Sequence, residues 1–168
     1  MRVLVVDGYN VIMSAVRYKS LAEEDMEAAR AALVGDVAAT ALGESVALVV
    51  FDGAGNPGSD GTPHHVPGAA VVFSPYGTDA DTVIESIVHK HRERGDEVIV
   101  VTSDAQTQWA VMGPGVSRAS SSEFVDSLAT GSAEWREHNP SGSRKATLDT
   151  RIDAGVRDAL ARWARGRA

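Results

Sequence analysis

Residues 98–104 read VIVVTSD: four β-branched apolar residues, two hydroxyl residues and an aspartate. So short an apolar run, with no polar alternation, is what a strand buried on both faces requires. Helical patterns bracket it. Upstream, Val83, Ile84, Ile87 and Val88 recur at helical spacing between Thr78 and Arg94, and Gly95 stops that helix just before a strand at Glu97–Val101. Downstream, a short helix passes through Trp109 and Met112 to the turn Gly113-Pro114-Gly115, with a small strand at Val116. The strand-then-aspartate signature occurs twice earlier, where Val3–Val6 ends at Asp7 and Val46–Phe51 ends at Asp52. Between these, the residues predict one Ala-rich helix, capped by Ser20, carrying Glu23, Glu24 and Asp25 in its first turn, and ended by Gly43. Ala69–Phe73 is a further strand. The run GAGNPGSDGTP at 53–63 reads as an unpaired loop, and His64 and His65 are placed in the same loop without a role. Ser120-x-x-Glu123 is a capping box for another helix, and Ile152, Val156, Leu160 and Trp163 give a last helix one apolar stripe. Strands alternating with helices predict an α/β fold with a mainly parallel sheet covered on both faces.

A chain of 168 residues suits one domain with a core of its own. It has no cysteine, which excludes disulfides, thiolate metal sites and cysteine nucleophiles. The sequence shows no apolar run of membrane-spanning length and no signal-peptide core, so a cytoplasmic protein without a membrane partner is expected. The net charge of −7 argues against a non-specific polyanion binder. Its distribution is uneven. From Arg136 onward there are eight Lys/Arg against four Asp/Glu, and before it eight against nineteen. The expected organisation is a main unit over residues 1–135 and a basic C-terminal segment, 136–168, whose helix packs on the same domain. That segment suits a phosphate-holding arm, although Arg151, Arg157, Arg162 and Arg165 also fit the solvated face of a helix.

In parallel α/β sheets, ligands sit beyond the carboxyl ends of the strands. Parallel strands would bring Asp7, Asp52 and Asp104 to one edge, and Asp81, at the start of the Thr78 helix, could join them there. Clustered carboxylates repel one another unless a cation or shared protons intervene. Oxygen donors favour Mg²⁺ or Mn²⁺, which suit phosphodiester hydrolysis. Bland readings stand beside these: Asp52 opens a turn, Ser103 or Asp104 caps a helix, and Thr78-x-x-Asp81 is itself a capping box. Helical periodicity does not choose between Asp79 and Asp81. Asn10 suits either a turn or a contact to Asp7 or phosphate. Trp109 could stack on a base, but a lone Trp in an apolar helix is more often core.

Other chemistries lack their motifs. Neither G-x-G-x-x-G nor G-x-x-x-x-G-K-[ST] occurs, and G-x-S-x-G is missing. An aspartyl-nucleophile phosphatase, by resemblance to the haloacid dehalogenase group, would need an acid where this chain has Tyr9.

Three blocks resemble the YacP-like branch of the NYN-domain, PIN-like nucleases: LVVDGYNVI (4–12), TDADTVIE (78–85) and TSDAQTQWAVMGPGVSRASSSEF (102–124). The resemblance implies a PIN-like α/β/α sandwich and a metal-dependent endoribonuclease acting on single-stranded RNA such as mRNA. It implies Asp7, Asp81 and Asp104 as catalytic carboxylates holding Mg²⁺ or Mn²⁺, with Asp52 a weaker fourth ligand. Asn10, Ser103 and Asp79 become expected supports of that site, with Asp79 open between a base and a helix-start charge. Gln108 and Arg118 become expected RNA contacts, to which the charge pattern adds Arg144 and Lys145. The alternative is an RNA- or ribosome-binding module with weak or partner-dependent nuclease activity.

Overall fold

The computed structural model describes residues 1–41, 45–130 and 154–166. The described chain builds β1 (Arg2–Asp7), α1 (Gly8–Ser14), α2 (Val16–Glu24), α3 (Met26–Thr40), β2 (Ser45–Phe51), β3 (His64–Val66) and β4 (Ala69–Phe73). It continues with α4 (Ala80–Glu93), β5 (Glu97–Val101), α5 (Ala105–Ala110), β6 (Val116–Ala119), α6 (Ser121–Thr130) and α7 (Ala154–Ala164). The strands form one sheet in the order β3-β4-β2-β1-β5-β6. Every pairing is parallel except that of the short edge strand β3 with β4.

The double-sided burial expected of the apolar strands is present. On one face Leu4, Val6, Val49, Phe51 and Val101 pack with residues of α1, α2, α3, α6 and α7. On the other, Val3, Val5, Val50, Val98 and Val100 pack with Ala80, Ile84 and Val88 of α4 and with Val111. The result is a helix–sheet–helix sandwich. The chain leaves β1 toward β2 and β4, then returns to pair β5 on the other side of β1. The strand order therefore reverses beside β1, the position beyond whose strand ends open α/β sheets bind their ligands.

Four sequence expectations change. The segment between β1 and β2 holds three described helices rather than one. Ser20 lies inside α2, and Asp25 is the cap of α3, accepting from the backbone N–H groups of Glu27 (2.9 Å) and Ala28 (3.3 Å). His64 and His65 belong to β3, whose register places His64 opposite Val71. The Thr78 helix is capped by Asp79 rather than Thr78, its carboxylate accepting from Thr82 N–H at 2.8 Å. Trp109 is not core but 70% exposed. The Ser120/Glu123 capping box forms as read, each residue's side chain accepting from the other's backbone N–H.

The last helix packs on α3, with Leu160 fully buried in the shared core. Arg157 pairs with Asp25, and Arg165 pairs with Glu27 at 2.9 Å. These two arginines clamp α7 to the start of α3 and are spent there rather than kept for a phosphate. Arg144 and Lys145, expected as RNA contacts, lie outside the described residues.

Candidate active site

Asp7 ends β1 and starts α1 with no intervening loop, so one side chain must serve both. Its Oδ1 accepts from Asn10 N–H at 3.3 Å as the helix cap, and its Oδ2 accepts from the Thr102 hydroxyl at 3.3 Å. The side chain is only 8% exposed. Burial is the main reason its pKa is raised, to about 6 from the usual 3.8, and the charges of Asp81 and Asp104 add to it. The Asn10 N–H and Thr102 hydroxyl pull the other way without winning. The three carboxylates come from separated stretches of chain, yet Asp81 and Asp104 lie close enough for their charges to be felt at Asp7.

Thr107 ties two of them together. Its buried hydroxyl lies 2.5 Å from Asp81 Oδ1 and 3.2 Å from Asp104 Oδ1. A hydroxyl has one proton to donate, so the two carboxylates share it. Asp104 also caps α5, accepting from the N–H groups of Gln106 (2.9 Å) and Thr107 (3.0 Å). The Thr107 N–H is the leading cause that holds the Asp104 carboxyl below the usual carboxylate range. Asp104 is thus both a helix cap and a member of the cluster.

Asp52 stands at the same edge, exposed. Its Oδ1 accepts from Ala54 N–H at 2.8 Å and its Oδ2 from Ala80 N–H, at the start of α4, at 3.4 Å. It opens a turn, as the bland reading has it, while reaching the helix that carries Asp81. Asp79 is occupied as the α4 cap, and the Thr82 contacts hold its carboxyl below the usual range. The helix-start reading therefore describes its placement.

Asn10 and Ser103 brace the loop after β5. Asn10 Oδ1 accepts from Ser103 N–H at 2.8 Å and from the buried Ser121 hydroxyl at 2.7 Å. Ser103 Oγ in turn accepts from Ser121 N–H at 3.0 Å. Gln108 bends back to donate to the Thr102 carbonyl at 2.6 Å, so it shapes the same loop instead of facing outward. Arg118, on exposed β6, leans over α5 and donates to the Gln108 carbonyl at 3.4 Å.

Sequence reasoning missed Thr102, Thr107 and Ser121, the hydroxyls that orient the carboxylates and the loop. Thr107 had a readable signal: it stands three residues after the cap Asp104, where a helix turns a side chain back over its own start.

Among the described residues, no three His, Asp or Glu side chains are grouped so as to hold a metal ion. The acidic edge is therefore no closed cage. It is a set of hard oxygens, most already accepting hydrogen bonds, at the carboxyl edge of the sheet.

Comparison with known proteins gives the lineage. The model of the YacP-like NYN domain matches residues 4–165, a span that crosses the boundary drawn from charge at residue 135. The chain is 33% identical over 134 residues to YacP of Bacillus subtilis (strain 168), covering 77% of this chain and 76% of that protein. Its fold is similar to the crystal structure of Rae1 (YacP) from Bacillus subtilis, with a TM-score of 0.63, 25% identity and coverage of 99% of this chain and 96% of that one. A mutant of Rae1 superposes with a TM-score of 0.62 at 28% identity, over 95% and 98% of the two chains. With its mixed six-stranded sheet, its nuclease-like architecture and this match over nearly its whole length, the chain belongs to the YacP-like NYN domain family.

Proposed function

We propose that this protein is a metal-dependent endoribonuclease that hydrolyses phosphodiester bonds in single-stranded RNA. The observation that carries the reading is that Asp7, Asp81 and Asp104 come to the edge where the strand order reverses, with Thr107 bonded to two of them and the charges of those two felt at Asp7. A pocket for apolar or neutral substrates has no use for a buried carboxylate whose ionisation its neighbours oppose.

Asp7, Asp81 and Asp104 would hold Mg²⁺ or Mn²⁺, with Asp52 contributing from the rim. The donor types suit such an ion, all oxygen in a chain without cysteine. The three carboxylates are not drawn up as a ligand set among the described residues, so they would have to gather around Mg²⁺, which keeps several waters and needs few protein ligands. When bound, the cation supplies Lewis-acid stabilisation of the phosphoryl oxygens and offsets the crowded negative charge. The protein's own contribution is positional. Thr102 fixes the Asp7 carboxylate, Thr107 spaces Asp81 from Asp104, and the Asn10–Ser103–Ser121 network holds the loop between them. Arg118 is the described cation best placed beside α5 for the RNA backbone. No described helix is long and apolar enough to cross a membrane, and a cytoplasmic location belongs to this reading.

A second reading is an RNA- or ribosome-binding module whose cutting depends on its partner. It draws support from the shared Thr107 hydroxyl, which engages two carboxylates that a metal would have to recruit.

The test is incubation of labelled single-stranded RNA and its DNA counterpart with Mg²⁺, Mn²⁺ or EDTA. The nuclease reading expects cutting of RNA that EDTA abolishes. Cutting that survives EDTA overturns the metal, and cutting only when ribosomes are added selects the second reading.

A further inference from the structure

The described aromatic residues divide sharply. Phe51, Phe73, Phe124 and Tyr18 are fully or almost fully buried, while Tyr9 and Trp163 are half-buried, Tyr9 tilted against Phe51 and Trp163 stacked on His64. Trp109 and Tyr76 are 70% and 61% exposed. Leaving such large apolar rings in water forgoes burial that the same rings would gain in a core. Both sit beside the acidic edge: Tyr76 follows β4 and precedes Asp81 by five residues, and Trp109 follows β5 and Asp104 by five. In the sheet order, β2, which is followed by Asp52, and β1, which ends at Asp7, lie between β4 and β5. The two rings therefore belong to opposite sides of the carboxylate row, about three strand spacings or roughly 14 Å apart at the sheet.

The charges around Trp109 favour a nucleic acid. Arg118 crosses α5 one residue away, at the Gln108 carbonyl, and the Arg92 guanidinium lies against Gly113 just beyond the helix. Among the described residues neither makes an ion pair, whereas Arg2, Arg17, Arg157 and Arg165 all do. An exposed indole with one guanidinium over its helix and another just beyond that helix's end, neither neutralised by a carboxylate among the described residues, is the pairing single strands use, bases on the ring and phosphates on the cations. A protein partner would be drawn by the ring but would not require the two free cations.

Resting on the ribonuclease reading, we propose that Trp109 and Tyr76 are stacking platforms for two bases of a single-stranded RNA that spans the carboxylates, and that Arg118 and Arg92 hold the backbone on the Trp109 side. The platforms accept any base, so they position the strand without reading its sequence.

The test measures fluorescence anisotropy of labelled single-stranded oligouridine and oligoadenosine with the full chain carrying Asp7→Asn, which removes a negative charge and cutting together. Trp109→Leu on that background keeps apolar bulk but loses the stacking face, and is expected to weaken binding roughly five- to hundredfold. Trp109→Phe should recover most of the loss, and Tyr76→Leu should reproduce it in part. Equal binding by the Trp109→Leu and parent chains, or a parent that binds neither oligonucleotide, overturns the proposal. The ribonuclease reading is judged separately, by Asp7-dependent cutting of the same RNA by the wild-type chain. If that cutting occurs while Trp109→Leu binds like the parent, the nuclease stands and the platforms fall.

Discussion

Replacing Asp7 by Asn should make the protein more stable at neutral pH. Asp7 has an ordinary pKa of 3.8 and a folded one of about 6, because burial and the Asp81 and Asp104 charges oppose its ionisation. The sign follows from proton binding. Between these values the folded state holds the proton more often than the unfolded state, so stability falls as pH rises. The penalty is absent below about pH 3.8, grows through the window, and is complete above about pH 6. Converted directly, the difference is about 3 kcal/mol. Relaxation of the surroundings around a buried charge softens it, so about 1–3 kcal/mol is expected. Asn can still cap α1 through its carbonyl oxygen, and its amide nitrogen, standing where Oδ2 was, donates to the Thr102 hydroxyl once that hydroxyl turns its own proton away, so little is lost in exchange. For a domain of this size the gain is worth several degrees in Tm. The assay is thermal and urea unfolding of both proteins from pH 4 to 7.5. The stabilisation should be near zero at pH 4 and full at pH 7.5. A variant less stable than wild type at pH 7.5, or equally stabilised at both ends, would refute the electrostatic reasoning. Added Mg²⁺ should raise the Tm of the wild type and not that of Asp7→Asn.

Three further outcomes follow from the geometry. Thr107→Val removes the hydroxyl shared by Asp81 and Asp104, and should cost about 1 kcal/mol in urea unfolding and most of the cutting rate, with Thr107→Ser restoring both. Gly8→Ala would push a methyl into the Phe51 ring, so calorimetry should show a loss of about 1–3 kcal/mol, relieved by pairing it with Phe51→Leu. Tyr18→Phe deletes a buried hydroxyl that donates to Asp36 Oδ2 at 2.5 Å, and equilibrium unfolding should report about 1–3 kcal/mol with RNA cutting untouched.

What was legible in the sequence is what local pattern dictates. Apolar runs such as VLVVD and VIVVTSD name buried strands because only a covered parallel sheet tolerates them, and their terminal aspartates then fall at one edge. The resemblance singled out Asp81, whereas periodicity left it tied with Asp79; the structure puts Asp79 on the helix cap. No helix is read from the sequence between Asp7 and Ser20, and a single one after Ser20, because the breaks that separate the three observed helices carry neither glycine nor proline. Ala15 and Asp25 adopt extended backbone between helices, and only tertiary packing of Val11, Ile12 and Tyr18 selects that path. Trp109 was misjudged for a different reason. A six-residue helix has too few positions to show which side faces the sheet, and Val111 and Thr107 take the buried side instead. The roles of Thr102, Thr107 and Ser121 depend on contacts between distant segments, which no local pattern carries.

Asp7 at the end of β1, Asp81 in α4 and Asp104 between β5 and α5 are proposed to act together as one cutting site. The most direct measurement compares cleavage of labelled single-stranded RNA in Mn²⁺ by wild type, Asp7→Asn, Asp81→Asn and Asp104→Asn, with Asp60→Asn, in the loop after β2, as the control. The account predicts that the three site variants fall to the protein-free background while Asp60→Asn cuts like wild type. A wild-type rate from Asp7→Asn would contradict it.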